Sequence, residues 1–218
     1  MTSRRSRPAR SSGSNPVSDE LPELGTDPAE DVIAAMAGFG RVLLQVDDEH
    51  LELETPCEGW DVQALISHVV LGDASVPLLF TGNPLPSTMA IDTSILGPNP
   101  VATWRGTALA AIEAWRTEGA MEQIVQHPVG ERPGHVFARF RLVDMLGHTW
   151  DLAHTIGVDA EIPEALAEAA LDFLFPMLDE LRGSMVFGPP VTPPPDSSAA
   201  VRFLALIGRQ AHQGFTSA

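Results

Sequence analysis

Between Phe137 and Gly157 the chain reads FARFRLVDMLGHTWDLAHTIG, and no proline interrupts it. As a helix this stretch spans about 30 Å at about 1.5 Å per residue, and Gly157 stands where a C-cap belongs. Phe140, Val143, Leu146, Trp150 and Ala153 recur at three- and four-residue steps, the period of a stripe packed into a core. Arg141, Asp144, His148, Asp151 and Thr155 recur at the same period beside it, which predicts a row of polar side chains along the flank. Asp144 and His148 lie one turn apart, with Cβ atoms about 6 Å from each other, so a carboxylate and an imidazole can hold one divalent cation between them. Two such residues also read as an ordinary hydrogen-bonded pair, and a metal site therefore needs a third ligand from elsewhere. His68 is the candidate.

The rest of the chain supplies further helices. Thr26 or Asp27 is the expected N-cap of the first, with Pro28 in its opening turn and Val32, Met36, Phe39, Val42 and Leu43 facing the core until about Asp47 or Asp48. A second starts near Trp60 or Asp61 and turns Val62, Leu65, Ile66, Val69 and Val70 inward, with His68 on its edge among small residues at four-residue steps. Cys57 precedes it and reads as a small half-buried residue beside Trp60, near enough to the helix N-terminus for the dipole to favour a thiolate. Thr81 to Asn99 is punctuated by Pro and Gly and reads as a long crossover loop. Asn99 and Pro100 open a third helix that ends before Gly119, and an irregular connection follows, with a short extended piece around Ile124 and Val125. His127 and His135 lie on that connection without partners at ligand spacing and read as surface residues. After the central helix, Pro163 opens a fifth, a proline-rich strap VFGPPVTPPPDSS follows, and a last helix spans roughly Ser198 to Ile207.

Five or six helices with no convincing strand make an all-α bundle, and bundles build metal sites from inward-facing side chains on neighbouring helices. His68, Asp144 and His148 would make such a set. Three protein ligands leave a coordination position open, as catalytic ions require. Zinc suits two nitrogens and one oxygen best, and nickel or iron would be accepted too.

Composition limits the partners. The net charge of −16 argues against nucleic acid or an anionic membrane. All 13 basic residues are Arg, four of them within residues 1–25, a Ser- and Pro-rich stretch expected to be a disordered tail ahead of a single domain over 26–218. One cysteine permits neither an intramolecular disulfide nor a four-cysteine zinc site, so the reducing cytoplasm is the expected compartment. No apolar run approaches the roughly 18 residues of a membrane span, so no segment is expected to cross a membrane, and the basic first ten residues lack the apolar segment of a secretion signal.

TPCEGWDVQALISHVV, then DMLGHTWDLAHTIG, then FLALIGR, in that order, resemble the DinB-like metal-binding superfamily. The nearer resemblance is to its actinobacterial branch related to the N-terminal domain of mycothiol-dependent maleylpyruvate isomerase. It implies a DinB-like four-helix bundle with additional short helices and a divalent metal on three side chains, which carry over to His68, Asp144 and His148. The family pattern has Glu where this chain has Asp144, and it has a C-terminal domain where this chain has only a short helix. The implied function is that of a metal-dependent S-transferase or isomerase with mycothiol as cosubstrate, its sulfur at the open position, acting on a small electrophile. Asp151 would orient His148 as an outer acceptor, whereas Arg141 would pair with Asp144, face solvent or meet an anionic substrate group. A non-enzymatic metal-stabilised binding or sensing module and a metal-dependent hydrolase stand as alternatives, and a homodimer is left open.

Overall fold

The structure is a computed structural model that describes residues 24–83, 91–127, 130–178 and 187–211. Nearly all of the basic tail and the middle of the crossover loop lie outside these residues. Among them are six α-helices and one small hairpin: α1 Pro28–Leu43, α2 Val62–Phe80, α3 Pro100–Trp115, β1 Ile124–His127, β2 Gly130–Pro133, α4 Gly134–Ile156, α5 Glu164–Leu174 and α6 Ala199–Leu206.

The helix ends follow local chemistry. Asp27 caps α1 by accepting from the amides of Ala29 and Glu30, and Pro28 fills the first position, where a missing N–H is harmless. Asp61 accepts from Ala64 N at 2.8 Å and fixes the start of α2. Asn99 does the same for α3 through Ala102 N at 2.9 Å. Gly157 closes α4 in the left-handed region at φ 73°, a conformation glycine adopts without strain. α1 stops at Leu43, earlier than its apolar spacing suggests, because the next residues turn into a 3-10 segment at Asp48–His50. His50 Nδ1 accepts from Asp47 N at 3.0 Å in that turn.

α4 is the axis of the bundle. α1 runs along one side of it, α2 meets it on another, and α2 in turn packs along α3. Of the predicted apolar stripe Val143, Leu146, Trp150 and Ala153 are buried and Phe140 is half-buried, and Phe137, Ala138, Leu142, Met145 and Leu152 are buried as well. The polar row of α4 is consequently drawn partly inside the molecule, with Arg141 and Asp151 buried and Asp144, His148 and Thr155 half-buried. α5 lies against α4 and also packs with α6.

Two features depart from the sequence reading. By length and composition α2 is apolar enough to cross a membrane, with a mean hydropathy of 1.5. Yet 67% of that window is buried inside the bundle, so its apolar side chains are spent on neighbouring helices. The connection after α3 is a true antiparallel hairpin, Ile124 pairing with Pro133 and His127 with Gly130. Strands of four residues with only Val125 buried leave no periodic signature, and the hairpin is held by docking of Val125 and by Gln123 Nε2 donating to Phe80 O at 2.7 Å.

Candidate functional site

Four separate segments converge beside the middle of α4. α2 brings His68 and Asp73, α4 brings Arg141, Asp144, His148 and Asp151, the loop before α2 brings Cys57 and Trp60, and the chain after α6 brings Arg209. The loop is shaped by Thr55, whose hydroxyl accepts from Cys57 N at 3.2 Å and donates to Trp60 O at 2.9 Å. Gly59, at φ 77°, makes the turn between them. Trp60 is thereby laid against both histidines, its ring 4.9 Å from that of His68 and 5.8 Å from that of His148 between centroids.

His68, Asp144 and His148 come together although 76 residues separate the first two. Nε2 of His68 and Nε2 of His148 each lie 3.2 Å from the same oxygen, Oδ1 of Asp144. One ligand atom from each of the three residues lies within 4.8 Å of the others. Two metal–ligand bonds of about 2.0–2.2 Å at a tetrahedral angle place donor atoms about 3.3–3.6 Å apart. The two contacts of Asp144 are close to that spacing, and the three residues together could hold a single divalent ion.

Electrostatics around the set are strong. Burial opposes the charge of Asp144, but His68, His148 and Arg141 hold its carboxyl well below the usual carboxylate range. Burial likewise opposes a proton on His148, and the neighbouring Asp144, with further hydrogen bonds to Asp151 and Cys57, raises its pKa well above the ordinary histidine value. A cation in this position, proton or metal, is what the surrounding carboxylates favour. Arg141 pairs with Asp144 and lies inside the molecule, so of its three expected settings the ion pair is the one seen.

On the far side of His148 lies a second cluster. Nδ1 of His148 is 3.2 Å from Oδ2 of Asp151, which is fully buried rather than set on the helix surface. Cys57 Sγ donates to the same oxygen at 3.2 Å and lies 3.8 Å from His148 Nδ1. Cys57, His148 and Asp151 also have metal-like spacing. Arg209 already supplies a cation there, with Nε 3.0 Å from Asp151 Oδ1 and Nη2 2.8 Å from Oδ2. The same Nη2 reaches Cys57 Sγ at 3.5 Å. Against burial, hydrogen bonds from His148 and Arg209 lower the Asp151 carboxyl to about 2.

Sequence spacing had no means of finding Arg209, because it stands outside any helix and reaches Asp151 across 58 residues. The only signal was its place at the end of the FLALIGR motif. Of the other histidines, His135 is exposed and sits 3.0 Å from Met121 O through Nδ1. His127 is not a plain surface residue: it stacks on Phe140 with the ring planes 2° apart, and burial, with Arg132 and Arg141 nearby, lowers its pKa. Neither joins the cluster.

A cavity of about 1290 Å³ opens over the site. His68, Asp144, His148 and Arg209 contribute its polar part, and Trp60, Val143, Trp150, Leu174, Phe187 and Ile207 its apolar walls. The strap around Pro189 and the chain after α6 close one side, where Val191 N donates to Ala205 O at 2.9 Å.

Residues 32–153 match the family described as mycothiol maleylpyruvate isomerase N-terminal domain. The chain belongs to that family. The match holds every residue of the cluster except Arg209 and stops short of the strap. Two curated relatives, uncharacterised proteins of Mycobacterium tuberculosis strains CDC 1551 / Oshkosh and H37Rv, are each 32% identical over 133 residues, covering 61% of this chain and 69% of theirs. Among solved structures, the mycothiol-dependent maleylpyruvate isomerase superposes with a TM-score of 0.56 at 21% identity, over 68% of each chain. A histidine-to-alanine variant of that isomerase gives a TM-score of 0.54 over the same shares. At this identity the likeness establishes the shared fold, a DinB-like all-α bundle.

Proposed function

We propose that this protein is a divalent-metal-dependent enzyme that joins a low-molecular-weight thiol, mycothiol by analogy with the family, to a small electrophile or isomerises the resulting adduct. The ion would be held by His68, Asp144 and His148. The observation that carries the reading is a single carboxylate oxygen 3.2 Å from two imidazole nitrogens at the floor of a cavity large enough for two small molecules.

A bound divalent ion of this kind supplies Lewis acidity, lowering the pKa of a thiol or water at its open position. The chain's own residues do the rest. Asp151 accepts the Nδ1 proton of His148 and so keeps Nε2 free to face the ion. Arg209 neutralises Asp151 and keeps that carboxylate on the far side of the ring. Trp60 covers both imidazoles and excludes water from one face of the site. The apolar walls would take the carbon skeleton of the electrophile. Zinc is the metal that the two-nitrogen, one-oxygen set suits best, with nickel or iron as substitutes.

Metal analysis of the purified protein tests the reading. About one equivalent is expected in the wild type, with loss in His68→Ala and in His148→Ala, and mycothiol consumption that depends on the metal. A full equivalent retained in both histidine variants would overturn the site. Metal without thiol turnover would leave the site and shift the function to a hydrolase or a binding module.

A further inference from the structure

We infer that Arg141, held by Asp73 and admitted by the absent side chain of Gly72, is a positioning residue that restricts Asp144 to ligation through one oxygen. This rests on the metal site proposed above and adds how its carboxylate is kept in place.

A carboxylate beside a divalent ion is free to present one oxygen or both. In this protein the two oxygens of Asp144 have different duties. Oδ1 faces both histidines, while Oδ2 receives Nη1 of Arg141. A guanidinium usually grips one carboxylate with two parallel hydrogen bonds. Had Arg141 done so, it would have taken Oδ1 away from the histidines. Its second nitrogen, Nη2, is instead drawn to Asp73 Oδ1 at 2.7 Å. Asp73 and Arg141 are nearly sealed from solvent, with side chains 1% and 8% exposed, so their pairing is neither screened nor free to rearrange. Asp73 thus splits the fork and leaves one oxygen of Asp144 for the ion.

Gly72 makes room for this arrangement. It follows His68 by one turn of α2, and a Cβ built on it would lie 2.3 Å from Nη1 and 2.6 Å from Cζ of Arg141. Any side chain there would push the guanidinium off its two acids. The three atoms nearest to that Cβ all belong to the Arg141 guanidinium, so a methyl group at this position acts first on Arg141.

The test measures zinc affinity by chelator competition, and the absorption spectrum of the cobalt(II) form, for the full-length wild type, Gly72→Ala, Arg141→Lys and Asp73→Asn. Folding is followed by circular dichroism and melting. Each folded variant is expected to keep one ion but bind it about 10- to 100-fold more weakly, as loss of outer partners does elsewhere. Its cobalt bands should change in intensity as the carboxylate turns to offer both oxygens. Lower melting temperature with wild-type affinity and spectrum would mean a structural role only and would overturn the inference. Should Gly72→Ala fail to fold, Asp73→Asn decides, because it alters one terminal group without adding bulk. A wild type that binds no ion would remove the metal site itself, and this inference with it, whereas unchanged variants beside a metal-loaded wild type would remove this inference alone.

Discussion

His148 is the residue on which two clusters meet, one through each ring nitrogen: Nε2 toward Asp144 and Nδ1 toward Asp151. The two acids are thereby given different tasks, and their substitution should separate them. Asp144→Ala is expected to abolish metal binding. Asp151→Ala should keep the ion and weaken it by about 10- to 100-fold, read by chelator competition. Since the Asp151 carboxyl is lowered to about 2, it is charged at any ordinary assay pH. Because Asp151 helps to raise the pKa of His148, whose proton an ion must displace, the ratio of wild-type to Asp151→Ala affinity should nevertheless rise between about pH 6 and pH 8. A ratio that stayed flat across that range would show that Asp151 does not govern the proton on His148.

At the scale of the helices, α1 and α3 are clasped by Glu30 and Arg116, whose Nε and Nη2 donate to the two carboxylate oxygens at 2.8 Å each. The hydrogen bonds from Arg116 lower the Glu30 carboxyl against a smaller opposing effect of burial. A lowered folded-state pKa makes this contribution present above the ordinary carboxylate pKa and lost as pH falls through the folded value. The pair is largely solvent-exposed on the Arg116 side, so Glu30→Gln should cost no more than about 1 kcal/mol. Melting curves should show that difference near neutral pH and none in strong acid. Gly157→Ala tests the other end of the same scale. It forces a side chain into the left-handed region at φ 73° and should destabilise by about 1–2 kcal/mol in denaturant titration, without touching the site.

The molecule as a whole decides that there is a cavity over the cluster and that it has a closed side. The strap beginning at Phe187 and the residues after α6 form that side, and Arg209 joins it to the buried Asp151. Removing Arg209 would leave a buried carboxylate with only His148 and Cys57 to satisfy it. Arg209→Ala should therefore cost about 2–3 kcal/mol in global stability by denaturant titration. It should also loosen the wall of the cavity, seen as faster amide exchange at Val191 and Leu206 than in the rest of the core. Unchanged stability would mean that the chain after α6 packs without the Arg209–Asp151 pair.

Much of this was legible along the chain, because the forces involved are local. Caps at Asp27, Asp61 and Asn99, the stop at Gly157 and the three- and four-residue spacing of apolar side chains need only near neighbours, and they determined the helices and hence the bundle. The Asp144 and His148 pair was legible for the same reason, being one turn of a single helix. The hairpin at Ile124–Pro133 was not, since its four-residue strands carry no period and are held by contacts with α2 and α4. Nor was the burial of the polar row on α4, which depends on how many helices surround that one. The meeting of His68 with Asp144, of Asp73 with Arg141 and of Arg209 with Asp151 was decided by tertiary packing alone. Charges and imidazoles carry no record in the sequence of which distant partner they will face; that is settled when the apolar faces of α2, α4 and α6 find their places around one core.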